Sequence, residues 1–234
     1  SAFEVLVPAL VKSFEKSYSE GDSMYNQLKE PMAVLKGWDF HSGEQSIATT
    51  LAIEWAQKLD PAIQKVYTDE GETDQVASTK QIAATASAIQ LVEPLLAVIK
   101  ELTGKFGKWQ IPWGDINRYQ RSGNDIPEKH TDSLPSIPVG FASALWGQLP
   151  AFKSNYFPGN KKRYGIGGNS FICAVEFGKK VKAKSLLAGG ESGDVASNHF
   201  KDQAEMYTHG EFKEVLFYPE DIEKHVEKMY HPGE

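Results

Sequence analysis

Cysteine is almost missing. The single Cys173 excludes an internal disulfide and any zinc cage built on cysteine thiolates. A large domain needs no covalent staple, so an oxidising compartment stays open. Positive charge is also in deficit, with 25 Lys+Arg against 31 Asp+Glu and a net charge of −6. Proteins that grip a phosphate backbone need a basic face, which makes nucleic acid a poor partner. No apolar run reaches the roughly 18 residues of a membrane helix. The first residues lack the basic-then-apolar pattern of a signal peptide, which leaves the question open for any longer precursor. Repeats and low-complexity tracts are absent too. What remains is an ordinary globular composition: 234 residues, 41% hydrophobic and 24% charged. That is one large domain or two small ones, long enough to bury a core.

Residues 1–104 read as helical. Phe3, Leu6, Val7, Leu10, Val11 and Phe14 recur at helical spacing between Ala2 and Tyr18, with Pro8 inside the run. A second helix is expected from Asn26 to Leu35, stopped by Gly37. Ser42 and Gln45 match a capping box ahead of Ile47, Leu51, Trp55 and Leu59, and Pro61 closes that helix. Asp69 to Asp74 reads as an exposed loop. The longest helix is then expected from Asp74 to Leu102, with a kink near Gln90 imposed by Pro94 and a stop at Gly104. Residues 105–234 begin as irregular chain, from Gly107 to Pro158. A β-hairpin follows: Asn169 to Phe177, a turn at Gly178-Lys179-Lys180, then Val181 to Leu187. Both faces of its first strand are mostly apolar, so cover on both sides is expected, with Glu176 as a carboxylate in a buried run. A helix from Ser197 to His209, a strand from Glu214 to Tyr218 and a helix from Pro219 to about Met229 complete the chain.

Several groupings have a chemical and a structural reading. A buried Glu176 needs a cation or donors, and could orient a histidine; it could equally stand on a wet strand face. His199 and Asp202, three apart, could be half a metal site, a hydrogen-bonded pair, or the tied-down first turn of a helix capped by Ser197 or Asn198. In Trp113-Gly114-Asp115-Ile116-Asn117-Arg118, Trp113 and Tyr119 could line a pocket with Asp115 and Arg118 as polar handles. The alternative is an anchor, with Trp113 buried and Asp115 capping a short helix. Gly165-Ile166-Gly167-Gly168 precedes a strand instead of joining a strand to a helix, which argues against a phosphate loop. Gly190-Glu191-Ser192-Gly193 imitates a hydrolase elbow without its second glycine in place. Ser1 could act as an N-terminal nucleophile with its own α-amine as base.

Taken in order, Leu35-x-x-Trp38-Asp39, Ser46, Trp55, Trp113-Gly114-Asp115, Gly167-Gly168-Asn169-Ser170-Phe171, Ala174-Val175-Glu176-Phe177-Gly178, Gly190-x-Ser192 and Ser197-x-His199-x-x-Asp202-Gln203 resemble the penicillin acylase family of N-terminal nucleophile hydrolases. The acyl-homoserine lactone, cephalosporin and aculeacin acylase branch is most similar, and the motifs match the end of its β chain. The resemblance implies an α+β chain whose C-terminal half contributes to an αββα core. It implies an exported, periplasmic or secreted precursor that cleaves itself, and a β-chain N-terminal serine that forms an acyl-enzyme with an N-acylated small substrate. No cofactor is implied for the chemistry, although some members carry a structural calcium. Ser1 is followed by Ala2-Phe3-Glu4 and not by the family's Ser-Asn-x-Trp segment, so the nucleophile and oxyanion residues are expected upstream of residue 1. On that basis the chain is expected to be an inactive C-terminal fragment. Its partners would be the remaining α and β segments, with self-association through exposed strand edges when isolated and no membrane contact. Glu176 would keep one family role, supporting the histidine beside the nucleophile. Trp113, Tyr119 and Trp146 are the aromatics expected near substrate. A non-catalytic helical binding module, or a self-sufficient hydrolase using Ser1, are the competing expectations.

Overall fold

A computed structural model describes residues 1–59, 75–123, 129–226, 228–231 and 233. Pro61 and the Asp69–Asp74 loop lie outside the described residues. The fold is mixed α+β, divided into two compact units, Ser1–Gly168 and Asn169–Glu234. Residues 105–168 thus pack with the helices, and the division falls well after the change of composition near Gly104.

In the first unit, apolar spacing decides the helices. Helix α1 (Phe3–Ser17) buries the expected stripe, and α2 (Ser23–Lys36) buries Leu28, Met32 and Leu35 and ends at Gly37. Helix α3 (Ile47–Gln57) is buried from Ala48 to Ala56, nearly all round, so it is the centre of the helical layer. Its cap is Ser46, whose Oγ accepts the Thr49 N–H at 3.0 Å. The expected box at Ser42 and Gln45 does not form, because the Ser42 hydroxyl donates instead to the Gln148 side chain. The long helix expected from Asp74 to Leu102 is two helices, α4 (Gln75–Thr85) and α5 (Ala88–Phe106), bent by 103°. The break falls ahead of Gln90 because Ser87 opens a new helix with a complete capping box to Gln90. Helix α5 carries Pro94 through its interior and stops at Gly107, φ 79°, and not at Gly104. Helix α3 is tied to α5 by the Trp55 indole N–H, which donates to the Leu91 carbonyl at 2.7 Å.

The stretch expected to be irregular holds a four-stranded sheet. Helix α6 (Trp113–Ile116) runs into β1 (Asn117–Tyr119), followed by β2 (Ile137–Pro138), β3 (Phe152–Tyr156) and β4 (Arg163–Gly168), in the order β2-β1-β4-β3. Strands β1 and β4 are parallel, with Asn117 opposite Arg163; the other pairs are antiparallel. The glycine run Gly165-Ile166-Gly167-Gly168 is therefore strand. A Cβ on Gly165 would lie 2.5 Å from the Phe152 ring, so close packing accounts for that glycine.

The second unit is a three-stranded antiparallel sheet, β5-β6-β7, made of β5 (Phe171–Glu176), β6 (Lys182–Leu187) and β7 (Lys213–Val215). The hairpin is present, but its expected cover on both faces is not. Cross-strand register puts Cys173, Val175, Ala183 and Val215 on one face, and Ala174, Glu176, Lys182, Lys184 and Glu214 on the other. The first face shows Cys173, Val175 and Val215 to solvent and buries Ser185; the other carries a charged ladder, with Lys184–Glu214 at 3.1 Å and Lys182–Glu176 at 3.7 Å, and buries Leu186 farther from the turn. Single-strand patterning could not show this pairing of charges. The helix expected from Ser197 shortens to α7 (Ala204–His209), because residues 189–203 close on themselves as a loop. Of the strand expected from Glu214 to Tyr218 only Glu214 and Val215 fall in β7, and α8 (Pro219–Ile222) passes into a 3₁₀ turn at Glu223–His225 well before Met229.

Arg163 and Glu54 form a buried ion pair at 2.8 Å, with side chains 5% and 7% exposed. Removing one partner strands the other charge, so Arg163→Met alone and Glu54→Leu alone are each expected to cost about 3–5 kcal/mol. The double variant is expected to be far less destabilised than the sum of the two, measured by denaturant unfolding. A simple sum would show the pair to be uncoupled.

Candidate functional site

A network of polar side chains in the first unit gathers around Arg163. Its Nη1 donates to Glu54 Oε1 at 2.8 Å and Gln57 Oε1 at 2.7 Å, both from α3. On the sheet side, Nη2 donates to the Ser154 carbonyl at 2.7 Å and Nε to Ser154 Oγ at 3.3 Å. The Ser154 hydroxyl donates to Asn117 Oδ1 at 2.6 Å, and Asn117 Nδ2 donates to the carbonyls of Val139 and Phe141. Glu54, Asn117, Ser154 and Arg163 are buried, Gln57 closes the network from the surface, and each donor named meets an acceptor, which is what a charge in a core requires. The Tyr156 ring lies 5.0 Å from the guanidinium. Burial first, and then the neighbouring Glu54 charge, push the Tyr156 phenol well above its usual range.

Above this network lies a cleft of about 210 Å³, lined by Ile53, Gln57, Trp113, Ala142, Ser143, Leu145, Trp146, Phe152, Lys153, Ser154, Asn155 and Arg163. Two of the three expected aromatics, Trp113 and Trp146, meet here. Tyr119 does not line it; it sits on β1 opposite Ile137. Trp113 is anchored by its indole N–H, which donates to the Phe141 carbonyl at 3.1 Å, and Trp146 packs on Phe3 with ring centroids 5.2 Å apart. Asp115 does not cap α6; Pro112 stands at that position. Arg118 is an anchor as well, donating to Gly114 and Ser136, and its burial lowers the guanidinium pKa. Glu54, Gln57, Asn117, Ser154 and Arg163 escaped the sequence reading. The available signal was Glu54, a carboxylate inside the apolar run Leu51-Ala52-Ile53-Glu54-Trp55-Ala56.

In the second unit, Glu176 ends β5 with its side chain 73% exposed and its carboxylate facing Lys182. The expectation of a carboxylate buried in the strand is corrected: the charged ladder keeps it wet. His199 Nδ1 and Asp202 Oδ2 are 2.8 Å apart, both in the loop before α7 and both solvent-accessible. Ser197 Oγ accepts the His199 N–H, so it caps a turn and not a helix. The loop closes through Ser192 N–H to the His199 carbonyl and Gln203 N–H to the Gly189 carbonyl. A Cβ on Gly190 would lie 2.0 Å from the His199 carbonyl oxygen, so the loop requires glycine there. Ser192 serves this closure, its Oγ accepting the Asp194 N–H. Among the described residues no group of three or more His, Cys, Asp or Glu is placed to hold a metal. At the other end of the chain, the Ser1 ammonium pairs with Glu4 at 2.7 Å.

The sequence matches the family model for penicillin amidase over residues 1–224. The chain belongs to the penicillin amidase family. Within it, the chain is similar to acyl-homoserine lactone acylase PvdQ of Pseudomonas fluorescens, 26% identical over 191 residues that cover 79% of this chain and 23% of that protein. It is similar also to the PvdQ acylase of Pseudomonas savastanoi pv. phaseolicola, 28% identical over 206 residues, or 81% of this chain and 23% of that protein. Among solved structures, a thermostable penicillin G acylase from Alcaligenes faecalis matches 98% of this chain and 46% of its own, at 16% identity and a TM-score of 0.46. This penicillin amidase chain therefore spans 23% of the length of the curated acylases it matches.

The His199–Asp202 contact sets a pH prediction. The hydrogen bond to Asp202 raises the His199 pKa, and the same bond lowers that of Asp202. The contact is complete where Asp202 is ionised and His199 protonated, between about pH 4 and pH 6.5. It is lost as pH rises through the raised His199 value, or falls through the lowered Asp202 value. Titration by NMR is expected to place His199 above about 6.5, the ordinary histidine value. Asp202→Asn should bring it back to that value.

Proposed function

We propose that this chain is the C-terminal part of the β chain of a penicillin amidase-type hydrolase. The whole enzyme would cleave the amide of an N-acylated small molecule, and acyl-homoserine lactones are the substrate class suggested by the names of its relatives. The observation that carries the reading is the family match across residues 1–224, in a chain that spans 23% of its relatives. An N-terminal serine supplied by polypeptide upstream of this chain attacks the amide, its α-amine takes the proton, and water hydrolyses the acyl-enzyme. Self-cleavage of an exported precursor would generate that serine in the periplasm.

Glu176 acts in this reading as a positioning residue, holding the histidine next to the nucleophile. Its exposure in this chain supports a partner from outside it, and so does the uncovered apolar face, where Phe177, next to that face, is 85% exposed. The remaining α and β segments would cover that face and complete an αββα core; the isolated chain would self-associate through it. Glu176→Gln in the full-length enzyme is expected to lower kcat by about 10–100-fold with KM little changed, as loss of an orienting hydrogen bond does. The acid limb of the pH–rate profile should move with it. Unchanged kcat/KM together with unchanged self-cleavage would remove Glu176 from the mechanism.

A further inference from the structure

In the second unit, one face of the β5-β6-β7 sheet is open to solvent over most of its length. Register sets Cys173 and Val175 of β5 on the same face as Val215 of β7, and Phe171 begins the row. Phe177 and Phe217 stand two residues beyond Val175 and Val215, at the same end of the sheet. Phe171, Phe177 and Phe217 are 59%, 85% and 72% exposed, and Val175 and Val215 are 45% and 42% exposed. At about 200 Å² for a phenylalanine, these side chains present on the order of 500 Å² of apolar surface, a large patch for a single soluble chain. The strand charges lie elsewhere. Glu176, Lys182, Lys184 and Glu214 form the ladder on the opposite face, and Lys213, beside the patch, is taken by Glu191 at 2.9 Å. Two identical patches therefore meet without opposing like charges. Together they would bury about 1,000 Å², the area that a specific association has to clear.

We propose that this face binds a second copy of the chain, as a twofold dimer packed sheet on sheet. A twofold contact uses the same patch on both partners, so it closes at two copies. Pairing through the strand edges would instead leave further edges open to more copies. Phe177 and Phe217 are the anchors of the contact, and Cys173 lies inside it. The inference rests on the proposal that upstream polypeptide covers this face in the whole enzyme; in the isolated chain the second copy takes that place.

Cys173 is the single cysteine of the chain and is exposed, so its reaction with a thiol reagent reports on this face. The 234-residue chain is expected to sediment as a monomer at about 1 µM and as a dimer at about 100 µM, with a dissociation constant on the order of 10 µM. Over the same range Cys173 should come to react about 5-fold more slowly. Phe177→Ser, at an exposed position, should raise the dissociation constant about 10-fold or more and restore the thiol reaction. Lys184→Ala, on the opposite face, should change neither. A monomer at about 100 µM overturns the proposal. So does a dimer in which Cys173 reacts at its full rate, or assembly beyond two copies. The reading beneath it has a separate outcome. In the full-length enzyme Cys173 should be unreactive at every concentration; a reactive Cys173 there would refute cover by upstream segments and leave the dimer standing.

Discussion

A guanidinium buried between a helix and a sheet has to be met on every side, and Arg163 imposes that demand on the whole first unit. Taking the Arg163–Glu54 pair out of water costs several kcal/mol per ion before any attraction is counted. The surroundings offset this only because three separate parts of the chain arrive at one point. Helix α3 brings Glu54 and Gln57 one turn apart. Strand β3 brings the Ser154 carbonyl and hydroxyl. The parallel pairing of β1 with β4 sets Asn117 opposite Arg163, where it can receive Ser154 and hold the Val139–Phe141 segment in turn. The anchoring of Trp113 to the Phe141 carbonyl belongs to the same arrangement, and the cleft is the space left above it.

Much of the helical half was legible because its information is local. The spacing of Phe3, Leu6, Val7, Leu10, Val11 and Phe14 is enough to define α1, and its buried residues are those six. Where several local signals competed, sequence alone chose wrongly. Ser42 and Ser46 both precede α3, and only the long-range hydrogen bond from Ser42 to Gln148 decides between them. Ser87 sits inside a run that stays apolar on both sides, so its capping box was masked by the continuing pattern. The four-stranded sheet was missed for a different reason. Its strands are as short as two residues, interrupted by glycine and proline, and joined by a parallel pairing between segments far apart in sequence. The Arg163 network is likewise non-local and left only Glu54 as a trace.

In the second unit, strand pairing is what gives the residues their meaning. Glu176 alone looks like a charge lost in a hydrophobic strand. Beside Lys182, and with Lys184 beside Glu214, it becomes one rung of a charged ladder, while Cys173, Val175 and Val215 lie on the opposite face. That division of faces is the feature of this unit most in need of more protein. It accords with a chain that is about a quarter of the curated acylases it matches. The family is shown by the match across residues 1–224; the proposed division of labour, with scaffold here and nucleophile elsewhere, is the claim that experiment has to decide.

The most direct measurement is to inactivate the full-length enzyme with a serine-acylating reagent and locate the label by peptide mass. The account predicts a single label upstream of residue 1, at the serine exposed by self-cleavage. A stoichiometric label on Ser1 or Ser192, with loss of activity, would contradict it.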